Sequence, residues 1–238
     1  MKNKIALITG SSRGIGREIA LKLAGVVSGV AVHYKNDRAA AKDVVRKIKE
    51  KRKRAACFRA DLTKENEAVA LVRKVEEILG NVDILVNNFG PILVRSWEKV
   101  TSSEWDFVLK GNLSSALFCL KAVLPGMRRR KWGRIVNLGY SRAEQLVAFS
   151  TITPYAIAKT GLLILTRTVA ASEADRGITV NMVSPGLIEG GILPKGKDIS
   201  QERLGKIENV ADAVIFLVSE KAGFITGTNL VVAGGWKI

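Results

Sequence analysis

Tyr155 and Lys159 are separated by Ala156, Ile157 and Ala158, a spacing that puts both on one face of a helix about one turn apart. A phenol with a pKa near about 10 holds its proton too tightly to exchange it at neutral pH, and an adjacent ammonium favours the phenolate. The expectation is that Lys159 acidifies Tyr155, making the pair an acid/base for an oxygen on a reacting carbon. Near the N-terminus, Thr9-Gly10-Ser11-Ser12-Arg13-Gly14-Ile15-Gly16 follows an apolar run and precedes a helical pattern opening at Arg17. Glycines in a strand-to-helix turn let backbone amides and the positive helix end approach an anionic pyrophosphate, as dinucleotide sites require. Other chemistries lack their parts. The single histidine, His33, argues against a Ser-His-Asp triad or a multi-histidine metal centre. Cys57 and Cys119 lie far apart, outside any metal-ligand spacing, and read as reduced, buried thiols.

Residues this far apart need a scaffold to meet. The 238 residues, 47% hydrophobic and 25% charged, fit one folded domain rather than a disordered or fibrous chain. Apolar runs of strand length fall at 4–9, 30–34, 55–60, 84–87, 135–138, 179–183 and 229–232. They do not alternate with polar residues, so both faces must be covered, as in a parallel sheet between helices. Stretches 17–23, 39–51, 65–79, 103–125, 155–174 and 210–219 carry apolar residues at helical intervals and read as crossover helices. The fold expected is α/β: a single doubly wound, Rossmann-type domain with a seven-stranded, mainly parallel sheet. The segment 187–205, rich in Gly, Lys and polar residues, reads as a substrate lid.

The glycine spacing, with Asn87-Asn88 after the fourth strand, Tyr155-x-x-x-Lys159, Pro185-Gly186 and Gly234-Gly235, resembles the short-chain dehydrogenase/reductase family over essentially the whole chain. Within it, the turn and Phe224-Ile225-Thr226-Gly227 look most like the β-ketoacyl-carrier-protein reductase branch. The resemblance implies Tyr155 as acid/base, Lys159 as its partner and holder of the nicotinamide ribose, and Asn112 as anchor of a water in a proton relay. It also implies a dinucleotide held by Gly10, Ser12, Arg13, Gly14, Ile15 and Gly16, by Tyr34 and Lys35, by Asp61 and Leu62, and by Asn88, Phe89 and Gly90. Further along, Pro185, Gly186 and Ile188 join Tyr155 and Lys159 around the nicotinamide. The chain departs from its relatives on the substrate side. The expected serine after strand 135–138 is replaced by Tyr140, with Ser141 beside it as the alternative; Phe89 stands where alanine is usual; and no threonine follows Pro185-Gly186. A phenol donates a hydrogen bond as a hydroxyl does but is far bulkier.

A dinucleotide with a free ribose 2′-hydroxyl is usually met by a carboxylate near the end of the second strand, and one with a 2′-phosphate by cations. That strand ends His33-Tyr34-Lys35-Asn36, and Arg13 lies in the turn, so NADP(H) is expected, with Asp37 assigned to the start of the next helix. The reading is an NADPH-dependent carbonyl reductase whose substrate is a 3-oxoacyl thioester or another small carbonyl compound. Alternatives are reduction of a small cyclic or pteridine-like carbonyl, and a catalytically weak dinucleotide-binding sensor.

The net charge is +16, with basic residues crowded at 46–54 and 128–131. Nucleic-acid binding is a third alternative, weighed below helix-end and solvated roles for these cations because no aromatic residues are interleaved with them. The longest weakly polar stretch, 19–32, is broken by Lys22, and the apolar run at the N-terminus is too short for a secretory signal. No membrane association and a cytoplasmic location are expected. Leu162, Leu163, Ile164 and Leu165 give helix 155–174 more apolar surface than one face needs, so part of it is expected between subunits, and the resemblance implies a tetramer or dimer.

Overall fold

The structure is a computed structural model that describes residues 1–191 and 204–236. Among these, seven strands form one sheet: β1 (Ile5–Ile8), β2 (Gly29–Tyr34), β3 (Arg54–Arg59), β4 (Val82–Asn87), β5 (Gly133–Leu138), β6 (Ile178–Pro185) and β7 (Asn229–Val232). The spatial order is β3-β2-β1-β4-β5-β6-β7, and every neighbouring pair is parallel. Crossovers are α1 (Gly14–Leu23), α2 (Arg38–Glu50), α3 (Glu65–Leu79), α4 (Ser102–Leu109), α5 (Ser115–Arg130), α6 (Thr153–Glu173) and α7 (Ile207–Val218).

The two-residue period of the strands sorts the core into two layers. Ile8, Val86, Val136 and Val183 pack with Ile19, Val44 and Val214 on one face. Leu7, Leu85, Ile135 and Val180 pack with Leu71, Val75 and Leu120 on the other. Burial on both faces explains why these strands lack alternation. The strand order reverses direction between β1 and β4, and the carboxyl ends of those strands are where an open α/β sheet offers a crevice.

One expected helix is corrected. The run read as 103–125 continues from Ser102 to Arg130 and contains a wide, π-type turn at Lys110–Ser114 between α4 and α5. Pro125 lies inside α5 and does not end it; the helix stops only at Lys131, which takes the left-handed conformation at φ 52. This run is also long and apolar enough to cross a membrane by length and composition, contrary to the reading of 19–32 as the longest weakly polar stretch, and half of that window is buried within the protein. Its α5 part packs on α3 and β4 and its α4 part on α6, with Trp105 and Phe107 left exposed.

The basic clusters are largely occupied by local work. Lys53 Nζ and Arg54 donate to the carbonyls of Val27 and Ile78, at 3.1 Å each. Arg128 and Arg176 hold the buried carboxylate of Glu173, and Arg130 donates to the Val82 carbonyl. Of the expected lid, only 187–191 and 204–205 fall among the described residues. There Glu189 N–H donates to Gly205 O and Gly205 N–H to Leu187 O, at 2.9 Å each, closing the base of the segment.

Candidate active site

The glycine turn is locked from behind. Thr9 Oγ1 accepts from the amides of Asn88 and Phe89, and Asn88 Nδ2 donates to the carbonyls of Thr9 and Gly10. Gly10 has φ +62 and Gly14 φ +57, values that glycine adopts without strain. A Cβ on Gly16 would lie 2.4 Å from Asn88 Nδ2 and 2.5 Å from Gly10 O, so only glycine lets α1 approach this closely. Arg13, the residue capping α1, makes no side-chain cap, and the first turn holds no acidic residue. The positive end of α1 therefore carries amides without intrahelical partners and no competing anion.

The tips of β2 and β3 form two adjoining clefts. One, of about 320 Å³, is lined by Lys35, Asn36, Arg59, Asp61 and Lys64 among others; the second, of about 350 Å³, by Tyr34, Asn36, Arg38 and Arg59. The carboxylates nearby are engaged, Glu67 with Lys64 and the Asp61 amide. Asp61 pairs with Lys35 at 2.9 Å and accepts from Thr63 Oγ1, while Asp37 caps α2 by accepting from Ala40 N–H at 2.9 Å. Arg13 is exposed and lines neither cleft.

At the other end of the crevice, Tyr155 and Lys159 project from the first turns of α6. Lys159 is buried, its Nζ 5.6 Å from the Tyr155 ring centre and donating to Leu138 O at 2.6 Å. Loss of water contact pulls the Lys159 ammonium down to about 7. The same cause pushes the Tyr155 phenol well above its usual value, and Tyr140 adds to the push. The expected acidification of the phenol by Lys159 is thus corrected: without a ligand, burial shifts both groups toward their neutral forms, and Lys159 does not offset it.

Asn112 lies in the π-type turn, where its Nδ2 donates to Pro91 O at 2.7 Å and Val108 O at 2.9 Å. Its Oδ1 is buried without a partner. A Cβ on Gly90 would fall 2.2 Å from that oxygen and 3.5 Å from Lys159 Nζ, so Asn112 and Lys159 border one small space that glycine keeps open. Tyr140 lies against Tyr155, with ring centres 5.7 Å apart and an angle of 68°. Phe149 packs edge-on behind Tyr140 at 5.9 Å. The hydroxyls of Tyr140 and Ser141 are both buried and unpartnered, and burial lifts the Tyr140 phenol to about 12.

The arrangement places a glycine turn with bare amides, a cleft lined by cations, and the partly buried Tyr155 beside the buried Lys159 at the carboxyl ends of the strands. The family described as Enoyl-(Acyl carrier protein) reductase matches residues 10–237. The chain is 37% identical to a 3-oxoacyl-(acyl-carrier-protein) reductase of Staphylococcus epidermidis over 98% of both chains. Among solved structures, a chain described as a short-chain alcohol dehydrogenase from Sinorhizobium meliloti 1021 superposes with a TM-score of 0.92 at 32% identity, covering 99% of this chain and 97% of that one. The chain belongs to the short-chain dehydrogenase/reductase family. A blue fluorescent protein from a metagenomic library, solved in complex with NADPH, is likewise similar, with a TM-score of 0.90 and 30% identity over 100% of this chain and 99% of that one.

Of the residues the family resemblance singles out, Gly10, Ser12, Gly14, Ile15 and Gly16 form the turn, while Asn88, Phe89 and Gly90 join it to Asn112 and Lys159. Pro185 ends β6, and Gly186 packs where a Cβ would meet Ala233 at 2.7 Å. Two placements differ from a side-chain contact with a ligand. Leu62 and Ile188 turn their side chains into the hydrophobic core, leaving only their backbone for a ligand. Residues missed from the sequence include Arg38, Arg59 and Lys64 of the clefts, and a buried chain in which Asn87 Nδ2 donates to Asn137 Oδ1 and Asn137 Nδ2 to Thr166 Oγ1. That chain ties α6 to the sheet. Its sequence signals were the polar Asn137 inside an apolar strand and Asn87 of the Asn87-Asn88 pair.

Proposed function

We propose that this chain is an NADPH-dependent reductase that converts a carbonyl to an alcohol, with a 3-oxoacyl thioester as its leading substrate. The observation that carries this reading is the meeting of Tyr155, Lys159 and the unpartnered Asn112 Oδ1 around one partly enclosed space joined to the glycine turn through Asn88–Gly90. The residues fit a dinucleotide: bare amides at α1 suit a pyrophosphate, and the clefts beside Lys35, Arg38 and Arg59 suit an adenosine 2′-phosphate. Bound there, the cofactor supplies a hydride to the carbonyl carbon.

Tyr155 gives its proton to the oxygen as negative charge develops on it. The protonated form of Lys159 offsets the phenolate left behind. Lys159 then passes a proton back to the phenolate and regains one from a water that donates to Asn112 Oδ1. The Tyr140 hydroxyl, buried and free beside Tyr155, donates to the substrate oxygen in the role that relatives give a serine. The substrate assignment follows the S. epidermidis reductase, whose name specifies a 3-oxoacyl group.

A second reading, a cyclic or pteridine-like carbonyl, is favoured by the aromatic wall of Tyr140, Phe149 and Tyr155. The deciding experiment is steady-state turnover of purified protein with NADPH and NADH against acetoacetyl thioesters and a panel of cyclic ketones. Turnover of the thioester with NADPH supports the first reading. Turnover of cyclic ketones alone supports the second, and NADPH binding without turnover of any carbonyl supports the sensor reading instead. The exposed Ile157 and Ile164 on α6, with Trp105 and Phe107 on α4, support a homo-oligomer, tetramer or dimer, tested by sedimentation.

A further inference from the structure

His33 is the only histidine, is 1% exposed, and is held through both ring nitrogens. Gly10 N–H donates to its Nδ1 at 2.9 Å, which requires a bare Nδ1 and puts the ring hydrogen on Nε2. Nε2 in turn donates to Ala60 O at 3.1 Å. The backbone at His33 is tied into the same turn: Ser11 N–H donates to His33 O at 2.9 Å, and His33 N–H donates to Ser11 Oγ at 3.1 Å. The ring packs edge-on to Phe89, with centres 6.2 Å apart. One imidazole thus spans the glycine turn on one side and, on the other, the end of β3, next to Asp61 and the cation-lined clefts.

We propose that His33, in its Nε2–H form, is a positioning residue for the dinucleotide, setting the pyrophosphate turn at Gly10 against the β3 tip at Ala60. This rests on the dinucleotide reading above. The Gly10 peptide is the first of the turn, and its N–H points back to His33. With that plane fixed, the amides from Ser12 onward are presented in one arrangement rather than several. Without a bare Nδ1, a backbone donor next to the core is orphaned, and the turn must rotate to find another acceptor. A protonated ring would impose the same loss. Burial opposes protonation, pulling the imidazole down to about 4, partly offset by its bond to Ala60 and by Asp61. Asp61 is the charged group facing it and is itself paired with Lys35. The turn therefore keeps its shape across the physiological range.

The test uses tag-free protein, in which every imidazole signal belongs to His33. Nitrogen-15 NMR should give the Nε2–H tautomer with no titration between about pH 8 and 5. A pKa near about 6.5, or an Nδ1–H ring, overturns the proposal. Two variants separate the ring's two bonds. The Oδ1 of His33→Asn can stand in for Nδ1, whereas His33→Gln keeps a donor toward Ala60 and loses the acceptor for Gly10. His33→Gln should raise the NADPH Kd, read by fluorescence titration, and KM by about tenfold, with kcat at saturating NADPH held within about threefold. His33→Asn should stay within about threefold of wild type in Kd. Equal binding by both variants, or a parallel loss of Kd, kcat and Tm in both, means a packing role and overturns the proposal. If His33→Gln does not fold, the tautomer and His33→Asn still decide it. Wild-type protein that binds neither NADPH nor NADH removes the dinucleotide reading, and this inference with it.

Discussion

Lys159 Nζ donates to the carbonyl oxygen of Leu138 at 2.6 Å, joining the helix that carries Tyr155 to the end of the strand that leads to Tyr140. The bond holds the amine at a fixed point without neutralising it, because a carbonyl carries no charge. Burial then decides the protonation balance and brings it to about 7. The sign follows: the lysine is charged below that value and neutral above it. Carbonyl reduction, which leaves a phenolate needing that charge, should fall as pH rises through about 7. In a pH profile of kcat/KM, Lys159→Met should lose most activity and also the inflexion. A profile unchanged by the substitution would separate Lys159 from the proton step.

Tyr155 presents the complementary case. Its phenol is held protonated by loss of water, which makes it a store of one proton rather than a standing base. Tyr155→Phe should lower kcat by about 10²- to 10⁴-fold, the usual weight of a positioned acid. NADPH affinity should stay within about twofold, because the ring remains. Isothermal titration together with single-turnover kinetics separates the two effects.

Tyr140 should give opposite results for stability and activity. Its hydroxyl is buried with no partner, a standing cost of about 1–3 kcal/mol that a substrate oxygen would relieve. Tyr140→Phe removes the cost and keeps the ring against Tyr155 and Phe149. Thermal unfolding should show an unchanged or higher Tm, while kcat/KM for reduction falls by about tenfold or more. A lower Tm with activity intact would assign Tyr140 to the core instead.

The scaffold was legible because parallel strands covered on both faces write themselves as largely apolar runs, clearest in β1 and weakest in the edge strands β3, with exposed Arg54 and Arg59, and β7, only half-buried. The glycine turn was legible for a related reason: Gly10 and Gly14 need positive φ, and Gly16 has no room for a side chain. The ends of helices were less so. Pro125 reads as a stop, yet packing of α5 on α3 outweighs the one backbone bond it forfeits. Least legible was anything set by the third dimension alone. A spacing of four residues places Tyr155 beside Lys159, but not the burial that moves both pKa values against the simple electrostatic expectation. His33, read only as evidence against a triad, gains its role from facing Gly10 across two strands.

Cofactor choice gives the last test. Arg38 and Arg59 line the cleft with Tyr34 and Asn36, and Arg59 Nε donates to Lys35 O at 3.3 Å, which orients it without consuming its charge. The carboxylates beside the clefts already hold partners: Asp37 caps α2, Asp61 pairs with Lys35, and Glu67 accepts from Asp61 N–H and pairs with Lys64. A 2′-phosphate would meet two cations there, while a free 2′-hydroxyl would meet only carboxylates whose charge is already paired. Arg38→Ala should therefore cut kcat/KM with NADPH by about tenfold to a hundredfold, at about 1.4 kcal/mol per decade, and leave NADH use within about threefold. Arg13, which lines neither cleft, should matter less than Arg38. Raising ionic strength should weaken NADPH binding more than NADH binding in wild type and erase that difference in the variant. Equal losses for both cofactors would place Arg38 outside phosphate recognition and return the choice of dinucleotide to Arg13.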